Sequence, residues 1–144
     1  MIALLLAVIA LRVHVGFALL IKDVEVSITN DFSISPADFL VVRCQSGTDD
    51  TGFHTLAVGE TFSFSFLTVT FIKRVLFFCS FYWPDQKYLH HFDIYKQQRD
   101  SCTSCMWKIR KDGPWDYTDK NAFKCYPWNP QNMDMSASNI TSKL

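Results

Sequence analysis

Val75-Leu76-Phe77-Phe78-Cys79-Ser80-Phe81-Tyr82-Trp83 is too short to span a bilayer and too aromatic for a surface helix. Taken with a period of two, Phe77, Cys79, Phe81 and Trp83 fall on one face, and Leu76, Phe78, Ser80 and Tyr82 on the other. One face is wholly apolar and the other mixed, the pattern of a central strand in a two-layer β domain. Cys79, in mid-strand, stands where a disulfide could fasten the core from inside.

The neighbouring stretches repeat this period. Val24, Val26 and Ile28 alternate with Glu25, Ser27 and Thr29. Cys44 is in phase with the apolar residues Leu40 and Val42, and Phe62, Phe64 and Phe66 alternate with hydroxyl side chains. Phe92 and Ile94 point one way, as do Cys105, Trp107 and Ile109. Phe53 to Leu56 is a short strand, and Trp115–Tyr117 and Ala122–Tyr126 finish the series. Turn signals separate these runs at Asn30-Asp31, Ser35-Pro36, Val58-Gly59-Glu60, Pro84–Lys87 and Asp112-Gly113. Pro114 places the last hairpin near a sheet edge, because it cannot donate a ladder hydrogen bond. Leu67 to Arg74 holds no Gly, Pro or Asn to position a turn. The fold expected is an all-β antiparallel sandwich of seven to eight short strands, stabilised by disulfides.

A chain of 144 residues fits one domain, and its 13 Phe supply a core that does not depend on cross-links. Fourteen basic and 14 acidic side chains balance, with no charged run. That argues against nucleic acid or an anionic membrane surface as partner. Met1 to Leu11 is apolar and ends at Arg12, and Gly16 and Ala18 provide the small residues signal peptidase favours. Residues 1–18 are expected to be a signal peptide, leaving no stable membrane insertion after cleavage. Residues 19–130 are then the secreted domain and 131–144 a polar tail. Cleavage removes Arg12 and no acid, so the remainder carries net charge −1.

Taken together, several of these stretches resemble one family. Cys44-Gln45-Ser46 with Asp49-Asp50, and Gly52-Phe53-His54-Thr55-Leu56, are similar to its first signature. Gly59–Phe66 and Leu76–Phe81 are similar to its middle ones. His91–Tyr95 with Arg99-Asp100, then Cys102, Cys105, Trp107 and Asp112-Gly113, complete the order. The pattern, from about Val24 to Asn129, is that of the plant self-incompatibility S-protein homologues. The resemblance implies a small secreted, disulfide-bearing sandwich without enzymatic activity or cofactor. Founding members of the family are stigma-secreted ligands acting on a pollen-surface receptor, so the implied partner is a cell-surface receptor protein. It also implies that Cys44, Cys79, Cys102 and Cys105 supply both intramolecular bridges, with the three possible pairings open. Many relatives carry a cysteine after the Gly-Pro of the last hairpin, matched with one just before Pro-Trp-Asn. Here Trp115 takes the first position while Cys125 keeps the second. Cys125 is therefore expected as a free thiol or as the link of a dimer, the chain being otherwise monomeric.

Other candidates carry less chemistry. Cys102-x-x-Cys105 enters a strand, whereas a redox motif of this form opens a helix. A structural zinc site on this pair would need two more ligands at matching spacing. Among His90, His91 and Asp93, the last two share a strand face, but histidines at a loop edge are usually solvated. No nucleophile–base order, phosphate loop or zinc-protease motif is present. Asn139-Ile140-Thr141 is an N-glycosylation sequon in the tail. Recognition is expected in the scaffolded polar loops Gln45 to Gly52 and Pro84 to His90, with Asp49, Asp50, Asp85 and Lys87 as their charged residues. The competing reading is an apoplastic carbohydrate-binding module or hydrolase, since sandwiches with exposed aromatic residues often bind sugars.

Overall fold

The computed structural model describes residues 1–18, 20–33, 38–72 and 74–131. The Ser35-Pro36 turn, Asn139 and all of the tail but Gln131 lie outside them. Helix α1 (Ile2–Ala18) comes first and leaves Leu4, Leu6, Ile9 and Leu11 exposed. No helix among the described residues is long and apolar enough to cross a membrane. Nine strands follow among the described residues: β1 (Ile21–Asn30), β2 (Leu40–Gln45), β3 (Asp50–Leu56), β4 (Thr61–Val69), β5 (Leu76–Tyr82), β6 (His90–Lys96), β7 (Ser104–Arg110), β8 (Gly113–Asp116) and β9 (Lys124–Cys125). They form two sheets, ordered β4-β1-β7-β8-β9 and β3-β2-β5-β6.

The alternation seen in the sequence is the burial pattern of the fold. Phe77, Cys79, Phe81 and Trp83 are buried together, as are Val24, Val26 and Ile28 of β1. Leu40, Val42 and Cys44 of β2 join them, with Cys105, Trp107 and Ile109 of β7 in the opposite sheet. At roughly 1.5–3 kcal/mol for each fully buried large apolar side chain, this layer drives folding. The β4 phenylalanines lean into it: Phe66 lies 4.5 Å from the Phe77 ring and Phe64 lies 5.0 Å from it.

One pairing departs from the antiparallel expectation. β1 and β7 run parallel, with Val26 opposite Cys105 and Ile28 opposite Trp107, whereas every other strand pair is antiparallel. All of β2 to β6 lie between β1 and β7 in sequence, a connection long enough to let the chain return in the same direction. Asn30 joins the two sheets at the end of β1. Its side chain donates to the Leu56 carbonyl of β3 at 2.9 Å and accepts from the Phe32 amide at 3.1 Å, so this buried polar group is satisfied.

Strand bounds differ from the expected ones where turn residues mislead. β3 begins at Asp50, so Asp50, Thr51 and Gly52 belong to a strand and only residues 46–49 form the loop. Gly52 tolerates this because its φ is +73°, in the left-handed region. β4 continues through Leu67, Thr68 and Val69 before turning, and Ile72 bridges back to Val69.

Two disulfides are present, Cys44–Cys79 and Cys102–Cys105, and Cys125 is free and exposed. Cys44 and Cys79 are directly opposed across β2 and β5. Their bridge therefore ties neighbouring strands of one sheet and does not join the two layers. Cys102–Cys105 closes a short loop at the entry to β7.

Candidate recognition surface

The two polar loops emerge at opposite ends of the sandwich. In the β2–β5 register Gln45 lies opposite Phe78, while Val41 lies opposite Tyr82. Loop 46–49 thus sits beside the start of β5, and loop 83–89 leaves from its other end. The structure does not bring Asp49 and Asp50 together with Asp85 and Lys87.

At the first end, residues 46–49 are held by their own hydrogen bonds. The Ser46 amide donates to the Asp49 carbonyl at 2.8 Å, and the Asp49 amide donates to Ser46 Oγ at 3.0 Å. Asp50 is committed to the scaffold. Its carboxylate accepts from Arg43 Nε at 3.0 Å and from the Gly52 amide at 2.9 Å, and it pairs with the Arg43 guanidinium. Hydrogen bonding from Arg43, helped by the Gly52 amide, lowers the Asp50 carboxyl to about 2. A carboxyl whose folded value lies below its unfolded value of ~3.9 stabilises the fold above that pH, and the contribution is lost as pH falls through about 2. An NMR titration of the Asp50 side chain is expected to show a midpoint near about 2, moving up in Arg43→Gln. A midpoint indifferent to that substitution would remove the ion pair as the cause.

Beside this loop the end of β4 presents Leu67 to solvent, and the connection on to β5 exposes Phe71 and Ile72, Phe71 at 80% exposure. Between loop and connection lies a cleft of about 770 Å³, rimmed by Ser46–Thr51 and Arg74 and floored by Phe64, Phe66 and Phe77. The sequence signal for the connection was its lack of turn residues: Leu67-Thr68-Val69-Thr70 is good strand sequence and extends β4 instead of interrupting it.

The opposite end is anchored differently. Asp85, Lys87, Tyr88 and Leu89 are exposed, and Asp85 adopts a positive φ of 75°. The loop closes on His90, which stacks on Trp83 with ring centroids 4.4 Å apart and approaches Gln86 Oε1 at 3.3 Å. Burial there, and then the neighbouring His91, hold the His90 imidazole below its ordinary range.

Other residues marked in the sequence are engaged in structure. His91 Nδ1 lies 3.2 Å from Ser80 Oγ, and Asp93 accepts from Asn129 Nδ2 at 3.1 Å. Among the described residues no group of three or more His, Cys, Asp or Glu could hold a metal ion. Arg99 donates to both Asp100 carboxylate oxygens at 2.8 Å and to the Asp93 carbonyl at 2.9 Å. Its guanidinium also lies 5.3–5.5 Å from the rings of Phe92, Trp107 and Tyr126. The Arg99-Asp100 signature is a clamp between β6 and the last segment of the domain. Cys125 lies directly opposite Trp115 in the β8–β9 ladder. Its thiol is pushed up by burial and then by Asp112, so little thiolate exists near neutrality.

Comparison with known proteins yields one consistent family. A family model described as plant self-incompatibility protein S1 matches residues 25–128. The chain is similar to S-protein homolog 2 of Arabidopsis thaliana, 48% identical over 99 residues, a match covering 62% of this chain and 60% of that protein. It is also similar to S-protein homolog 3 of the same plant, 34% identical over 141 residues and covering 82% of this chain and 92% of that one. A solved structure matches with a TM-score of 0.56 at 18% identity, covering 76% of this chain and 96% of its own. It is described as the structure of SPH (Self-Incompatibility Protein Homologue) proteins, a widespread family of small, highly stable, secreted proteins from plants.

Proposed function

The chain belongs to the plant self-incompatibility protein S1 family, and from that premise we propose that it is a secreted, non-enzymatic recognition ligand for a plant cell-surface receptor. Residues 1–18 serve as the signal peptide in this reading, and cleavage after Ala18 releases the sandwich. The observation that carries the proposal is the open end of the sandwich. There the self-bonded loop 46–49 and the exposed Leu67 line one cleft, and Phe71 and Ile72 are exposed on the adjoining β4–β5 connection. Apolar anchors beside a pre-ordered polar rim are what a protein interface requires, since little conformational entropy is lost on docking. The sheets behind the cleft act as scaffold.

Replacing residues 46–49 by a Gly-Ser linker is expected to weaken binding of labelled protein to plant cell surfaces by about tenfold or more, on the scale of a lost hot spot. The same exchange of residues 84–89 tests the other end. Unchanged binding in both variants rejects the receptor-ligand reading, and selective retention of a glycan on an array would favour the carbohydrate-binding alternative.

A further inference from the structure

The cleft has two banks, loop 46–49 with the start of β3 on one side and the β4–β5 connection on the other, and both are held in place. Loop 46–49 is closed by the bonds between Ser46 and Asp49. The connection is held at its two ends by one side chain from the turn after β6. Gln97 Nε2 donates to the Val69 carbonyl at 2.8 Å, and Gln97 Oε1 accepts from the Val75 amide at 3.2 Å. The Gln97 amide also donates to the Val75 carbonyl at 3.0 Å.

Among the described residues three charged side chains line the cleft: Asp49, Asp50 and Arg74. Asp50 is neutralised by Arg43. Asp49 and Arg74 belong to opposite banks, and neither meets an opposite charge among the described residues. The Asp49 carboxylate accepts only from Thr48 Oγ1, at 3.3 Å. Most of the lining toward β4 and β5 is apolar, with Leu67 exposed and Phe64 and Phe66 partly buried. The Phe64 and Phe66 ring centroids are 6.0 Å apart. A third side chain between two rings needs roughly 7 Å, two carbon–carbon contacts of about 3.5 Å each. An apolar group entering the cleft therefore lies across these two rings and not between them.

We propose that the cleft takes a protein segment in which a leucine or aromatic side chain stands between an acidic residue, which meets Arg74, and a basic residue, which meets Asp49. The proposal rests on the receptor-ligand reading and states what the receptor presents. A segment of the matching polarity gains at both banks. A segment of uniform charge gains at one bank and is repelled at the other, so the two fixed charges select both the partner and its orientation. Because the banks are already ordered, little of that gain is lost to ordering the cleft.

Binding of the labelled secreted protein to plant cell surfaces tests this with substitutions that change net charge in opposite directions. Arg74→Glu makes the chain more negative and Asp49→Lys makes it more positive, and each is expected to weaken binding about tenfold or more. Leu67→Ser is expected to weaken it similarly by removing the apolar contact. Lys120→Glu, an exposed site outside the cleft, carries the same charge change as Arg74→Glu and should bind as the parent. All four side chains are on the surface, so the thermal midpoints should match the parent's. If Arg74→Glu and Asp49→Lys shift binding in opposite directions, the partner carries one sign of charge and the proposal is overturned. Loss of binding on exchange of residues 46–49, with both charge variants binding as the parent, overturns this inference and leaves the receptor reading standing. Unchanged binding in the exchange of either loop removes the receptor reading itself. Displacement by sodium decanoate with the charge variants unaffected would assign the cleft to an acyl chain, and self-association abolished by Leu67→Ser would assign it to a second copy; either result overturns the proposal.

Discussion

Replacing Cys44 and Cys79 together by alanine is expected to destabilise the fold by about 4 kcal/mol or more. The bridge links residues 35 apart, and in the chain-entropy model a closed loop of that size removes about 4 kcal/mol of freedom from the unfolded chain. Cys102–Cys105, with a separation of 3, closes so small a loop that the same model gives only about 2 kcal/mol. Packing adds to the difference. Cys44 and Cys79 are fully buried in the same core as Val42, Phe77 and Phe81, so alanines there also leave unfilled volume. A loss of this size is a large part of the 5–15 kcal/mol that holds a domain together and corresponds to a fall in melting temperature of roughly 10–20 °C. Urea unfolding of the two double variants beside the parent protein measures both losses. Equal losses from the two bridges, or a larger one from the Cys102–Cys105 pair, would contradict the loop-length argument.

The same residues show what the sequence discloses and what it withholds. That Cys44 and Cys79 point into the core was legible, because period-two phase follows from strand geometry and needs no knowledge of neighbours. Which cysteine each meets was not, because that depends on strand order, and β2 pairs with β5 across a chain separation that no local pattern encodes. The same limit explains the loops. Gln45–Gly52 and Pro84–His90 look alike as polar, turn-rich stretches, yet the β2–β5 register sends them to opposite ends of the molecule. Asp49 and Asp50 are adjacent in sequence and separate in role, because Asp50 begins β3 and meets the Arg43 guanidinium. The parallel β1–β7 pair was hidden for a similar reason: each strand's own alternation is identical in either direction. The one local feature passed over was the extension of β4, where β-branched residues without a turn residue already pointed to more strand.

Trp115→Cys is expected to form a third disulfide and to stabilise the fold by about 2–3 kcal/mol, the loop-closure value for residues ten apart. Trp115 and Cys125 are direct partners in the β8–β9 ladder. The Tyr126 amide bonds the neighbouring Pro114 carbonyl, which makes 115 and 125 the non-hydrogen-bonded pair, where side chains approach most closely. The hairpin geometry that sets this pair is itself constrained. Gly113 has a φ of +151°, and a Cβ there would come within 2.5 Å of the Tyr126 carbonyl oxygen. The gain is partly offset, because Trp115 now packs under the Arg110 guanidinium at 4.8 Å and donates to Asp112 Oδ1 at 3.2 Å. Those contacts are exposed and worth less than the covalent constraint. Alkylation without reductant, followed by peptide mapping, gives a second readout: the parent should be labelled at Cys125 alone and the variant nowhere. Labelling at Cys102 with Cys125 protected would mean a different pairing in the parent. A variant that still labels at Cys125, or forms the bridge yet melts no higher, would show that β9 is too loosely held for its cross-link to constrain the fold. If the bridge forms and stabilises, the single thiol of this chain is what remains when one cysteine of a cross-strand pair is replaced by an aromatic side chain.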